Sequence, residues 1–331
     1  CPQLKVRRIE PKLGIHGSPT CELQFNDVPA ELVGKRKRGL TRYVMSLMNG
    51  ARVAISGQAL GIAEAAYREA YDYANEREQF GKSIVHFPAV YEMLARRKAQ
   101  IIGARVLLYE TTRYVDLRDC YEEKSNETEK PDKEARAREK EFSRIAGELT
   151  PLCKAYLTEL ANSVAYDTIQ IHGGTGFMRD FPAERYYRDA RITNIYEGTT
   201  QLQNIAAIGG IIRRLLDPVM NEISHLPFEG KLRRLASSVD MAHMKLVKAV
   251  KHVDDKEDKD YFEIMTHPLC RMEALVFISY LLLRDAHHHK EREAAAERFI
   301  LDAMPEVDMH NQVVMSDDLS VIDNHEAVLS L

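Results

Sequence analysis

The chain has 331 residues, 45% apolar and 29% charged, an ordinary balance for a globular protein and length for roughly two domains. A formal net charge of −4 gives no general electrostatic reason to bind nucleic acid, although the basic cluster KRKRG at 35–39 could hold one anionic ligand. Cys1, Cys21, Cys120, Cys153 and Cys270 lie far apart, are odd in number and include no CxxC pair. That argues for a reducing compartment and against a disulfide framework or a zinc site. No apolar run has membrane-spanning length, and no signal peptide is read.

Along residues 1–33, Leu4–Ile9 and Cys21–Phe25 read as strands, separated by Pro11 and the turn-forming cluster at 14–19. Two or three strands do not make a stable isolated sheet. This stretch therefore reads as the end of a larger β-domain, with the opening on Cys1 continuing from sequence upstream. From about residue 40 the pattern turns helical. Gly50, Ala54, Ser56, Gly57 and Gly61 are expected on the packing side, where small residues let another helix or a cofactor approach closely. A second helix is expected at about 87–119. The charged run 120–141 reads as an exposed turn, with Pro131 near the start of a third long helix that runs to about Ile171. Two shorter helices follow, near 182–190 and 199–216. Leu226-Pro227 and Gly230 mark a boundary, residues 227–304 read as two or three amphipathic helices, and the tail after Met304 as a strand-like or coiled arm.

Three stretches could carry chemistry. ANEREQFGKSI (74–84) ends a helix in a tight turn bearing a cation, Arg77. QIHGGTGFMRD (170–180) ends another in a glycine cluster, whose open backbone can face an anion or a flat ring, or can simply be a turn. RITNIYEGTTQLQ (191–203) sets a carboxylate, Glu197, between an apolar-aromatic step and a glycine. Taken singly, Arg77 could serve the helix dipole and Glu197 a helix start. The adjacent histidines of AHHHKE (286–291) point in different directions on a helix, so no metal site is expected.

Arg77 with QFG, then QIHGGTGF, then RDARITNIYEGTTQLQ, in that order, resembles the acyl-CoA dehydrogenase family over residues 1 to about 216. The portion after about 227 is similar to a C-terminal helical extension of some larger bacterial members. The implied fold is mainly α: residues 1–34 the end of a β-barrel-like central domain, 35–217 the C-terminal four-helix bundle, and 218–331 an added helical extension. The resemblance implies FAD, an acyl-CoA substrate and Glu197 as the base that removes the α-proton, the β-hydrogen leaving as hydride to the flavin. An apolar pocket, to which Ile195 and Tyr196 are suited, would raise the carboxylate's pKa toward that task. The alternative base position of the family, one residue before Arg52, is Ala51, which cannot act.

By the same resemblance, Asn49 (often aspartate in relatives), Arg52, Tyr196 and Gly198 face the substrate. Arg77, Gln79 and Phe80 reach the FAD of a neighbouring subunit. Gln170, Gly173 and Gly174 lie along its adenosine, and Thr199 and Gln201 contact FAD beside the base. A homodimer or homotetramer, an electron-transfer flavoprotein as acceptor, and the cytoplasm (the mitochondrial matrix in a eukaryote) follow as expectations, with neither nucleic acid nor a transmembrane segment. An acyl-CoA oxidase using oxygen, or a catalytically silent assembly subunit, are the alternatives.

Overall fold

The computed structural model describes residues 2–126 and 132–331. Strands β1 (Leu4–Ile9) and β2 (Cys21–Phe25) pair antiparallel with an irregularity between Val6 and Arg8. Both faces of this hairpin are largely open to solvent. Its connecting loop, however, is anchored on the bundle. The Ile15 N–H donates to Asp189 Oδ1 at 2.5 Å and Arg188 Nη1 donates to the Leu13 carbonyl at 2.9 Å. Gly14 fits beneath that anchor because a Cβ there would lie 2.5 Å from Asp189 Oδ1 and 2.6 Å from the Arg188 carbonyl oxygen.

Three long helices form the frame: α1 (Met45–Glu76), α2 (Pro88–Asn126) and α3 (Lys133–His172). They run up, down and up, so α1 and α3 are parallel. Thr168 Oγ1 of α3 bonds the Ala66 carbonyl of α1, and Arg97 of α2 meets Asp167 of α3 at 2.6 Å. The face of α1 that packs is an alanine stripe, Ala59, Ala63, Ala66, Ala70 and Ala74, all buried. Its helical spacing and small side chains let α1 lie close on α3. The small residues expected to pack do so only at Ser56; Gly50, Ala54 and Gly61 are exposed and Gly57 is half-buried.

Asp132 starts α3 by accepting from the Glu134 N–H, and Gly173 ends it at φ +63°. The charged run 120–141 is not a turn as a whole. Its first residues complete α2 and its last begin α3, because charged side chains are good helix formers when solvated. Pro131 lies outside the described residues.

Helices α4 (Ala183–Ala190) and α5 (Thr200–Ile212) close the bundle on α3. After α6 (Asp217–Ser224), helices α7 (Gly230–Asp254), α8 (Lys259–His288) and α9 (Glu293–Met315) pack as a second layer. Helix α8 is buried on every side from Ala274 to Leu283 and touches α2, α5, α6, α7 and α9, so one apolar core runs from α1 to α9. The tail is helical rather than strand-like: α9 continues to Met315 and α10 (Ser320–Leu329) follows with no buried residue. Among the described residues no helix is long and apolar enough to cross a membrane.

Candidate functional site

The turn between α4 and α5 carries Glu197 in a conformation few L-residues adopt. Its φ is +54°, and Gly198 follows at +97°. Left-handed backbone at a glutamate costs about 1 kcal/mol or more, so surrounding contacts must hold it. Those contacts fall on the two carbonyls flanking the Glu197–Gly198 step. Gln203 Nε2 donates to both, at 3.0 Å each. Arg52 Nε, from α1, donates to the Glu197 carbonyl at 3.5 Å, and Lys154 Nζ, from α3, donates to the Gly198 carbonyl at 2.6 Å. Glu159 of α3 accepts from Thr200 Oγ1 at 2.6 Å and from Asn194 Nδ2 at 3.0 Å, tying both ends of the turn to one carboxylate.

The structure therefore brings Glu197, Gly198 and Arg52 together, with Tyr196 beside them donating its hydroxyl to Gln58 Oε1. Burial lowers the pKa of Arg52 and the Glu197 charge partly restores it. Burial raises that of Tyr196. Thr199 is the N-cap of α5, its Oγ1 accepting from the Leu202 N–H at 3.5 Å, and Gln201 is exposed on the first turn. Asn49 lies on α1, but its side chain is outside the described residues. The expected apolar enclosure is not built by this turn: Ile195 is 42% exposed, and the charged groups facing Glu197 from α1 and α3 are cations.

A second site lies at the far end of the same helices. Helix α1 stops at Arg77, and Phe80 (φ +52°) and Gly81 (φ +80°) form the two-residue turn of a short hairpin, β3 (Glu78–Gln79) with β4 (Lys82–Ser83). Positive φ at both central residues matches the twist of paired strands. Beside it, the glycine cluster ends α3. Arg77, Gln79, Gly173 and Gly174 line one open groove of about 540 Å³ with Ile84, His172 and Met178. A Cβ at Gly173 or Gly174 would meet nothing, so their backbone is accessible. His172 is buried, stacked on Tyr73 at 4.2 Å, and bonded through Nδ1 to the Thr168 carbonyl at 2.7 Å, while its Nε2 has no hydrogen-bond partner. Phe80 projects from the hairpin tip, 93% exposed, and Gln170 is exposed on the last turn of α3.

Sequence reasoning did not single out Lys154, Glu159, Gln203 or His172. A signal for Lys154 was present: it is the one charge inside LTPLCKAYL (149–157), on a helix otherwise buried there. The two sites are well separated, since α3 rises about 28 Å between Lys154 and Gly173 at 1.5 Å per residue.

The helical bundle thus carries a kinked carboxylate turn against the middle of α3 and a glycine-lined groove at the end of that helix. Residues 53–201 match the family model described as acyl-CoA dehydrogenase, C-terminal domain. This part of the chain is similar to the C-terminal helical domain of the acyl-CoA dehydrogenase family. The acryloyl-CoA reductase (NADH) of Anaerotignum propionicum is 35% identical over 216 residues, 64% of this chain and 48% of that protein. The butyryl-CoA dehydrogenase structure of Megasphaera elsdenii is similar at TM-score 0.52 and 34% identity, covering 64% of this chain and 49% of that one. An acyl-CoA dehydrogenase of Bacillus anthracis complexed with FAD shares the fold over 94% of this chain and 56% of its own, at TM-score 0.77 and 21% identity. The chain thus spans about half the length of the relatives it matches.

Proposed function

We propose that this chain supplies the catalytic base and part of the cofactor site of an FAD-dependent acyl-CoA dehydrogenase, which converts an acyl-CoA thioester to its trans-2-enoyl form. The observation that carries the reading is Glu197, held in left-handed backbone by donors from three helices. Strain of that kind is retained where a side chain must be aimed. Glu197 takes the α-proton, and Gly198 lets the turn present the carboxylate to it. Arg52, Tyr196 and Asn49 face the substrate. FAD, when bound, supplies the hydride acceptor.

The far groove suits the anionic and adenosine end of such a cofactor. It has the volume of a ligand site, a guanidinium fork at Arg77 for paired charge-assisted bonds, and open glycine backbone beside apolar Ile84 and Met178. Gln79, Phe80 and Gln170 would complete it, and Thr199 and Gln201 would touch the cofactor beside the base. Groove and base lie too far apart along α3 to serve one centre comfortably within one chain, which favours a homodimer sharing its cofactors. The exposed Phe80, Phe177 and Met178 around the groove are apolar surface suited to such an interface. In this reading residues 1–34 close a central β-domain, 35–217 form the bundle and 218–331 an extension. The enzyme works in the cytoplasm, or the mitochondrial matrix of a eukaryote, and passes electrons to an electron-transfer flavoprotein.

The test is anaerobic mixing of the flavin-loaded enzyme with a panel of acyl-CoA thioesters. Bleaching of the flavin by at least one of them is expected, with rapid reoxidation by an electron-transfer flavoprotein and slow reoxidation by air. Rapid reoxidation by air would instead make it an oxidase, and a flavin left oxidised by every thioester would refute the reading.

A further inference from the structure

We infer that the cleft between the first half of α3 and the end of α5 binds a nucleoside polyphosphate, at a site separate from both the base and the glycine-lined groove. The cleft holds about 620 Å³, the size of a small-molecule site. Arg144, on its α3 wall, lies about 15 Å before Lys154 and about 44 Å before Gly173 along the helix, at 1.5 Å per residue. The cleft therefore belongs to neither centre described above.

Charge is what calls for a ligand. Lys140, Arg144, Arg213 and Arg214 all line the cleft and all are exposed, in a chain whose net charge is −4. Lys140 and Arg144 sit four residues apart on one face of α3, a like-charge spacing that disfavours a helix. Among the described residues, Lys140, Arg144 and Arg213 have no carboxylate within ion-pair distance, whereas Arg214 pairs with Asp217. Of the two acids in the lining, Glu141 is held by Arg138 at 3.1 Å, which leaves Glu222. Three unpaired cations exceed what one carboxylate neutralises. They match the two or more charges of a polyphosphate, for which guanidinium forks are suited.

Local backbone concentrates this charge. At the end of α5 the Leu215 N–H donates to the Gly210 carbonyl at 3.2 Å and the Arg214 N–H to the Ile211 carbonyl at 2.9 Å, with Arg214 at φ +55°. Glycine usually fills that left-handed position. An arginine held there brings two consecutive guanidinium groups to the cleft. The α5 dipole favours a cation at the helix end, but it does not account for Lys140 and Arg144 on the α3 wall. The remaining lining suits a nucleoside. Tyr114 and Phe142, their ring centroids 6.1 Å apart, offer apolar surface to a flat base. Glu222 offers an acceptor to ribose hydroxyls, which neither a fatty acid nor pyrophosphate carries.

Equilibrium dialysis of the flavin-loaded enzyme against labelled ADP, CoA or inorganic pyrophosphate at low salt is the test. Saturable binding of ADP is expected. Arg144→Gln and Arg213→Gln should each weaken it about tenfold or more, as the loss of a charge-assisted bond does, with melting and flavin reduction left parental. Pyrophosphate, which lacks the base, is expected to bind about tenfold more weakly than ADP. CoA carries the same adenosine diphosphate unit, and whichever of the two binds more tightly through Arg144 and Arg213 is the source of the ligand. ADP binding unchanged by both variants would overturn the proposal. So would binding lost in Arg77→Ala instead, which would put the nucleotide in the glycine-lined groove. Pyrophosphate held as tightly as ADP would overturn the nucleoside assignment, and retention of none of the three would overturn the site.

Discussion

Replacing Gly198 by alanine puts a methyl group where Gln203 already sits. A Cβ there would lie 2.6 Å from Gln203 Nε2, and φ of +97° is backbone that side-chain-bearing residues rarely adopt. The dihedral alone costs about 1–2 kcal/mol. Displacing Gln203 gives up its bonds to the Glu197 and Gly198 carbonyls, each about 1 kcal/mol. Together the loss is about 3–4 kcal/mol. A chain of this length unfolds with an entropy of about 0.7 kcal/mol/K, so Tm falls by about 5 °C. The turn is displaced as well, and a shift of about 1 Å in a reacting group costs roughly 100-fold in rate. Circular dichroism melting of Gly198→Ala beside the parent, and flavin reduction by acyl-CoA, are the assays. A parental Tm together with a parental reduction rate would refute the reasoning, because the turn would then tolerate what its geometry forbids.

Arg77→Ala is expected to weaken FAD retention and loosen the oligomer together, read by ultrafiltration and by sedimentation; Arg77→Lys restores only part, since an ammonium cannot make paired bonds. Unchanged FAD affinity in Arg77→Ala would remove Arg77 from the cofactor site. Glu273, fully enclosed between α8 and its neighbours, is pushed up to about 8 by burial and then by the Asp217 charge, and Glu148 is raised alongside it. An unfolded glutamate releases its proton near 4.3, so the folded chain holds a proton that the unfolded one has lost. Stability is therefore full below about pH 4 and declines as pH rises toward 8. Glu273→Gln is expected to exceed the parent in urea unfolding at pH 8 by about 1 kcal/mol or more, with no gain at pH 4. An equal stability at pH 8 would mean that the fold accommodates the ionised carboxylate at no cost.

Where local pattern decided the structure, the sequence was legible. Alternation and turn residues set both strands, Leu4–Ile9 and Cys21–Phe25, at the expected bounds. Apolar spacing carried α3 to within a residue of its end, and α4 and α5 bracket the Glu197 turn as expected. Packing decided the rest. The face of α1 is alanine, which stands out little on a hydropathy scale, whereas its glycines draw attention and lie outside the packed stripe. Helix α10 buries nothing, so its apolar residues show no face to read. At the site, YEGT marked Glu197 and Gly198. The donors that hold them were hidden because Lys154 meets Gly198 only through a tertiary contact between α3 and the later turn.

The central claim is that the Glu197 carboxylate is the proton acceptor, and anaerobic stopped-flow of Glu197→Gln against the parent tests it most directly. The amide keeps the size of the side chain and removes only its basicity, so the loss should fall on the chemical step. With the flavin-loaded enzymes and saturating acyl-CoA, the parent is expected to bleach. Glu197→Gln should retain FAD and bind the thioester yet reduce at less than about one-hundredth of the parental rate. Reduction at more than roughly a tenth of that rate would contradict the account and place the base on another residue.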